Sequence, residues 1–165
     1  MNCKLIARPL ALVISLMCAG FVTAGPLGKG DIAPNWVLLD EAGLPVSLYQ
    51  QIDSGHPALM LFCATWCETC QKLLPAVERM DIPSRVGVFM MNVWETGDPK
   101  AFLAETAPSL PLMLQADAVA RRFEIGVTPG VVVVGPDHRI LYKPGPNTGV
   151  ETIERELQAV LSQFE

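Results

Sequence analysis

The chain has 165 residues, of which half are hydrophobic, and a formal net charge of −5 at pH 7. This length suits one compact domain rather than two. The acidic balance argues against binding to nucleic acid or to anionic lipid through bulk charge. Of the five cysteines, Cys3 and Cys18 lie near the N-terminus, while Cys63, Cys67 and Cys70 are clustered rather than spread over the loops, so a disulfide scaffold is not indicated.

The N-terminal segment is typical of a secretory signal rather than of a folded domain. Basic residues precede an apolar run over residues 10–22, and a Val-Thr-Ala sequence suited to cleavage ends at Ala24. We therefore predict a signal peptide at 1–24 and a single domain at 25–165 that is periplasmic or secreted. The alternatives are an uncleaved membrane anchor, although the run is short for a span, and a lipoprotein modified at Cys18.

Hydrophobic patterning and turn residues predict a series of strands and helices after this segment. In chain order they are strands at 36–39 and 46–48, a strand at 58–64, a helix at 68–80, a strand at 85–93, a helix beginning at Asp98, a short helix at 117–125, two strands within 130–143, and a helix at 150–164. The continuously apolar strands are typical of a sheet covered on both faces. Pro75 lies inside the predicted helix at 68–80 and should kink it. The alternation of strand and helix predicts an α/β fold with a mixed sheet and helices on both faces.

Cys67 and Cys70 form a C-x2-C pair where the strand at 58–64 meets the following helix. Free N–H groups and the helix dipole at such a position favour a thiolate at Cys67. Cys70 lies one helical turn later, which is close enough for a disulfide. The pair can therefore be attacked, form a mixed disulfide at Cys67 and resolve it through Cys70. Trp66 would supply a flat apolar surface beside the sulfur.

Two other interpretations of this pair stay open at the level of sequence. It is half of a structural zinc site, for which only Cys63, His56 and His138 remain as further ligands, or it is an inert structural disulfide. We predict Cys63 to be a small buried hydrophobe on the face of Leu61, with a third redox or copper ligand as the alternative. His138 is predicted at a turn far from the pair.

The segment FCATWCETCQKLLP, residues 62–75, resembles the active-site segment of the thioredoxin superfamily. Its tryptophan, its two paired cysteines and its proline all stand where that family has them. The preceding GDIAPNWVLLDEAGLPVSL and the helical segment around 98–107 resemble the exported TlpA/ResA/CcmG-like branch. The resemblance implies a thioredoxin-like mixed sheet flanked by helices, with an N-terminal β-hairpin and a helical insertion.

The same resemblance implies an activity and a set of site residues. The chain would be a thiol–disulfide oxidoreductase, acting as a reductase, with Cys67 as nucleophile and Cys70 as resolving thiol. Pro129, in GVTPG, would form a cis bond with Thr128 and face the disulfide. The predicted substrate contacts are Trp66, Glu68, Thr69, Thr128 and Pro129.

Partners and cofactors follow from the resemblance as well. Exported cysteine-containing proteins, with apocytochrome c as a candidate, would be substrates, and a membrane thiol donor of the DsbD/CcdA type would recycle the pair. No metal and no dissociable cofactor is predicted, since the cysteine pair itself cycles, and the oligomeric state stays open. The alternatives are a Cu(I)-binding metallochaperone of the same fold and a non-catalytic thioredoxin-like binding module.

The chain departs from the family at the positions that usually handle protons. Leu61 stands where thioredoxins keep a buried acid, and Leu73 stands where ResA-like proteins often place a glutamate. Glu68 is the nearest acid in sequence, and its charge would oppose a thiolate at Cys67 and raise that pKa.

A further candidate segment, VWETGDP, follows the strand at 85–93. It lies at the edge where α/β sheets place their sites. Trp94 and Glu95 are therefore candidates for lining a partner groove, and an ordinary loop is the alternative.

Overall fold

The computed structural model describes residues 25–165, so the predicted signal peptide lies outside the described residues. The strands are β1 (Val37–Leu39), β2 (Pro45–Ser47), β3 (Ala58–Cys63), β4 (Gly87–Asn92), β5 (Leu112–Met113), β6 (Gly130–Val134) and β7 (Ile140–Tyr142). The helices are α1 (Leu48–Asp53), α2 (Glu68–Arg79), α3 (Pro99–Thr106), α4 (Asp117–Arg122) and α5 (Val150–Leu161), which a 3-10 turn (Ser162–Phe164) follows. Among these helices none combines the length and apolar character needed to cross a membrane.

Five strands form a mixed sheet in the order β5-β4-β3-β6-β7, while β1 and β2 form a separate hairpin. The β3–β4 and β4–β5 pairs are parallel, and the β3–β6 and β6–β7 pairs are antiparallel. β3 is the central strand and all of its residues are buried, which explains its unbroken apolar run. The predicted α/β class, with its mixed sheet and N-terminal hairpin, is confirmed.

Side chains of β3 alternate between two hydrophobic cores, one on each face of the sheet. Met60 and Phe62 enter the first core, which α1 and α4 cover. Leu61 and Cys63 enter the second core, which α2, α3 and α5 cover. The strand that carries the cysteine motif is therefore held from both sides.

Helix α2 begins immediately after Cys67 and buries Leu73, Leu74 and Val77 in the second core. Pro75 lies inside the helix, as the sequence predicts, and the helix continues past it to Arg79. The insertion helix α3 has the predicted start, since the Asp98 carboxylate accepts the N–H groups of Lys100 and Ala101 over 3.0 and 3.2 Å.

Two short elements have no counterpart in the prediction. α1 follows β2 directly, with Ser47 as its N-cap, so the predicted strand at 46–48 ends one residue early. β5 has two residues and pairs Leu112 with Met90 on β4. Elements of six and two residues are too short to show the periodicity by which helices and strands are recognised.

Candidate active site

Cys67 lies between β3 and α2 and is the N-cap residue of the helix. Its N–H donates to the Ala64 carbonyl over 3.1 Å, which closes the turn after the strand. The Cys67 sulfur accepts the N–H of Cys70 over 3.2 Å. Cys67 is 5% exposed and Cys70 is fully buried, so an incoming group reaches Cys67 first.

The Cys67 thiol is a weaker acid than an ordinary cysteine. Burial raises its pKa above 9.0, and the Cys70 side chain adds to the rise, while a hydrogen bond from the Thr128 side chain acts in the opposite direction. The Cys70 N–H at the start of the helix lowers this pKa, in the direction expected of a helix N-terminus, but burial outweighs it. Burial is the main cause of the rise, and Glu68, whose charge is expected to raise this pKa, is not among the causes.

Cys70 lies between the other two thiols. Burial raises the pKa of Cys70 far above 9.0, and a side-chain hydrogen bond with Cys63 raises it further. Cys63 is fully buried in the second core, as predicted for a small hydrophobe, but it also contacts the resolving position. All three thiols are unbonded in the structure.

The loop before β6 lies opposite the pair. The Thr128–Pro129 peptide bond is cis, the isomer that the family resemblance implies, and hydrogen bonding by the Thr128 side chain acts to lower the pKa of Cys67. Gly130 then pairs with Phe62 near the end of β3. The antiparallel register thus places Thr128 and Pro129 at the same sheet edge as Cys67.

Trp66 presents the largest apolar surface next to Cys67, with 52% of the residue exposed. Its indole N–H donates to the Trp94 carbonyl over 2.9 Å, which fixes the ring against the loop after β4. Glu68 and Thr69 are exposed on the first turn of α2. The structure therefore places all five predicted substrate contacts within or beside the segments that hold the pair.

Sequence reasoning missed the role of Glu95. Its carboxylate does not line an outer groove but turns inward, where Thr65 and Asn92 donate hydrogen bonds to it. Burial alone would raise the pKa of Glu95, but hydrogen bonds, led by that from the Thr65 hydroxyl, lower it from 4.5 to about 2. A polar Asn92 ending an apolar strand was the one local signal of this network.

The other candidate ligands lie elsewhere. His138 occupies the turn between β6 and β7, at the end of the sheet remote from Cys67, and hydrogen-bonds Asp53 over 2.7 Å. His56 is exposed. Residues 25–165 contain no group of three or more His, Cys, Asp or Glu side chains placed to hold a metal ion. Leu61 and Leu73 are fully buried in the second core, so the usual places of the family acids are apolar.

A sequence model of the AhpC/TSA family matches residues 29–143. The methylamine utilization protein MauD of Methylorubrum extorquens is 28% identical over 135 residues, which are 82% of this chain and 65% of MauD. The thiol-disulfide oxidoreductase ResA of Geobacillus kaustophilus is 23% identical over 170 residues, covering 95% of this chain and 96% of ResA. The chain spans 56% to 65% of the length of three MauD relatives that it matches.

Solved structures show the same fold. The thioredoxin domain of a thiol-disulfide oxidoreductase from Bacteroides vulgatus superposes with a TM-score of 0.62 at 21% identity. The match covers 84% of this chain and 98% of that domain. At this identity the likeness supports the thioredoxin-like architecture.

Proposed function

The chain belongs to the AhpC/TSA family of thioredoxin-like proteins, and from this membership we propose that it is an exported thiol–disulfide oxidoreductase. The observation that carries the proposal is the arrangement of Cys67, Cys70 and the cis Thr128–Pro129 bond. One thiol is reachable, its partner is buried one helical turn away, and the cis bond precedes β6 at the same sheet edge.

In the proposed cycle, the Cys67 thiolate attacks one sulfur of a substrate disulfide. The substrate S–S bond breaks, a mixed disulfide forms at Cys67, and the other substrate sulfur leaves as a thiol after taking up a proton. Cys70 then attacks the Cys67 sulfur and releases the second substrate thiol. The substrate gains two electrons, the cysteine pair loses two, and an external thiol donor reduces the pair again.

The raised pKa of Cys67 supports the reducing direction. A strongly oxidising pair is one whose reduced form is stabilised as a thiolate, and burial here removes that stabilisation. A thiol of higher pKa is also the stronger nucleophile once it is ionised. We therefore propose that the protein reduces disulfides of exported cysteine-containing proteins, with apocytochrome c as one candidate.

Substrate contact is assigned to the exposed surface around the reachable sulfur. Trp66 is exposed next to Cys67, and Val127, which precedes the cis Thr128–Pro129 bond at the same sheet edge, is 43% exposed. Glu68 and Thr69 border the pair on α2. Recycling is assigned to a membrane thiol donor of the DsbD/CcdA type, and the cysteine pair itself serves in place of a cofactor.

The test is disulfide exchange with insulin and with oxidised glutathione. The wild type should exchange, Cys67→Ser should abolish exchange, and Cys70→Ser should accumulate a mixed disulfide at Cys67 that mass spectrometry detects. Cys63→Ser removes the buried thiol outside the C-x2-C pair and should still exchange, although it also removes a group that raises the pKa of Cys70. Exchange that persists in Cys67→Ser would refute the mechanism.

The same wild-type and variant proteins distinguish the alternative functions. A reduction potential below roughly −300 mV without exchange with glutathione would indicate a structural disulfide in a binding module. Tight one-to-one Cu(I) binding that is lost in Cys63→Ser would indicate a metallochaperone. For export, N-terminal sequencing of the processed protein should begin at Gly25.

A further inference from the structure

The Glu95 carboxylate is the most heavily hydrogen-bonded side chain near the cysteine pair. Its Oε1 accepts the Thr65 hydroxyl, the Thr96 N–H and the Gly97 N–H over 2.5, 2.8 and 2.7 Å. Its Oε2 accepts the Thr65 N–H and the Asn92 side-chain amide over 3.0 and 2.7 Å. Both oxygens are therefore saturated by donors, and none of these donors comes from a neighbouring helix.

These donors belong to two separate segments of the chain. Thr65 lies two residues before Cys67, in the turn that follows β3. Asn92 ends β4 and pairs in register with Cys63, the last residue of β3. Glu95 therefore ties the segment that leads into Cys67 to the loop after β4.

The indole of Trp66 crosses the same boundary. Its hydrogen bond to the Trp94 carbonyl joins the residue next to Cys67 to the residue next to Glu95. The Trp94 N–H is held in turn by the Asp117 carboxylate over 2.9 Å. The turn before Cys67 is thus connected to the β4–α3 loop through Thr65 on one side and Trp66 on the other.

We propose that Glu95 is a positioning residue for the thiol–disulfide reaction, holding the Thr65–Trp66 backbone so that the Cys67 sulfur stays recessed and aligned beside Thr128. The proposal rests on the proposed function of Cys67 as nucleophile. Glu95 acts through Thr65 and not on the substrate. An attacking sulfur must be held in line with the S–S bond that it breaks, and misplacement of about 1 Å costs up to about 100-fold in rate.

A carboxylate is required because every contact is a donor. An amide in place of Glu95 presents one oxygen and one NH2 group. In either orientation the NH2 group of Glu95→Gln would face at least one backbone N–H group, which cannot accept: that of Thr65 on one side, or those of Thr96 and Gly97 on the other. Glu95→Gln is therefore expected to release the loop although it is nearly isosteric.

Gly97 offers a second, independent way to disturb the same contact. A Cβ atom at this position would lie 2.5 Å from Thr65 Oγ1 and 3.3 Å from Thr65 Cβ. Gly97 is outside the left-handed region, so Gly97→Ala acts by this crowding and not by backbone strain. It displaces Thr65 while keeping the carboxylate and its charge.

The experiment compares wild type, Glu95→Gln, Gly97→Ala and the milder Thr65→Val, with Glu105→Gln as control. Glu105 is exposed on α3, so its variant removes the same charge without touching the network. Two rates are measured: alkylation of each cysteine by iodoacetamide against pH, located by mass spectrometry, and exchange with insulin. The expected result is a 10- to 100-fold loss of insulin exchange in kcat/KM.

Alkylation should change in the opposite direction. Because burial is the main cause of the raised Cys67 pKa, releasing the turn should move the alkylation midpoint of Cys67 down toward 9.0 and speed the reaction below that pH. Cys63 and Cys70 should stay protected, which separates repositioning from general unfolding. Thr65→Val should show the same changes in smaller degree, and Glu105→Gln should match wild type.

Two outcomes would overturn the proposal. One is an alkylation profile for Cys67 in Glu95→Gln and Gly97→Ala that matches wild type. The other is equal exposure of all three thiols in every network variant, which would make Glu95 a stability residue only. If the wild type failed to exchange with either insulin or glutathione, the proposed function would fail. The alkylation profiles would still decide the role of Glu95.

Discussion

At this site, the pKa of each cysteine depends on how deeply its sulfur is buried. Cys67 and Cys70 are three residues apart, yet one is reachable and the other is fully buried. Burial raises both pKa values, and a like thiol at Cys63 adds to the rise at Cys70. Leu61 and Leu73 leave the family's usual acid positions apolar, so neither position supplies a proton acceptor to the thiols.

Through Cys70, the stability of the reduced protein should depend on pH. Its pKa is raised in the folded reduced protein above the 9.0 of an exposed thiol, so its contribution to stability is complete below pH 9 and is lost as pH rises above it. We expect the free energy of unfolding to fall by about 1.4 kcal/mol per pH unit above pH 9 from this thiol. Urea titrations of the reduced protein between pH 8 and 10.5 measure this slope.

Cys70→Ala provides the comparison for this prediction. Tyr142, whose pKa burial also raises, titrates in both proteins and cancels when the two slopes are subtracted. The oxidised wild type, in which the disulfide removes both the Cys67 and the Cys70 thiols, should have a shallower slope than Cys70→Ala, which keeps the Cys67 thiol with its raised pKa. Equal slopes for reduced wild type and Cys70→Ala would show that Cys70 is not shielded from water.

Among the elements, helix α3 depends on its first residue. The Asp98 carboxylate accepts two of the free N–H groups at the start of the helix, from Lys100 and Ala101, and Pro99 occupies a position that needs no N–H partner. Asp98→Ala should lower the free energy of unfolding by about 1 kcal/mol. Thermal or urea unfolding measures the change.

Asp98→Asn is the matched control, because asparagine caps a helix about as well as aspartate. It should lose only the small favourable interaction of a charge with the helix dipole. A loss in Asp98→Asn as large as that in Asp98→Ala would mean that charge, and not capping, stabilises the start of α3.

How far the sequence predicts these elements depends on whether the signal is local. α3 is predicted because Asp98 and Pro99 mark its start, and β3 because its apolar run is continuous. The cysteine pair is also predicted from a local signal, because Cys67 and Cys70 are separated by only two residues in the chain. Short elements such as α1 and β5 lack a periodic pattern and are missed.

The site residues that the sequence did not reveal are joined by contacts between distant segments. Thr65 and Glu95 are 30 residues apart, and nothing in either segment predicts that one binds the other. The main cause of the raised Cys67 pKa, burial, is missed for a related reason. The helix N-terminus is a local feature, whereas the burial that outweighs it comes from the packing of the whole domain.

At the scale of the whole molecule, β3 joins two cores that otherwise lie on opposite faces of the sheet. Phe62 belongs to the first core and Leu61 to the second, and both are fully buried. Because adjacent residues of one strand enter both cores, the faces should unfold together in a single transition. Cys67 follows this strand by four residues, so the position of the redox pair depends on both cores.

Phe62→Ala and Leu61→Ala test this coupling. Phe62→Ala should lower the free energy of unfolding by about 3–5 kcal/mol and Leu61→Ala by about 2–5 kcal/mol. In each variant, urea curves from far-UV circular dichroism and from tryptophan fluorescence should coincide. The fluorescence of Trp36 reports on the first core, whereas the helices that cover the second core dominate the dichroism. Leu44→Ala, at a side chain 62% exposed, should change stability by less than about 0.5 kcal/mol. Separate transitions, with one core lost while the other persists, would show that β3 does not couple the two faces.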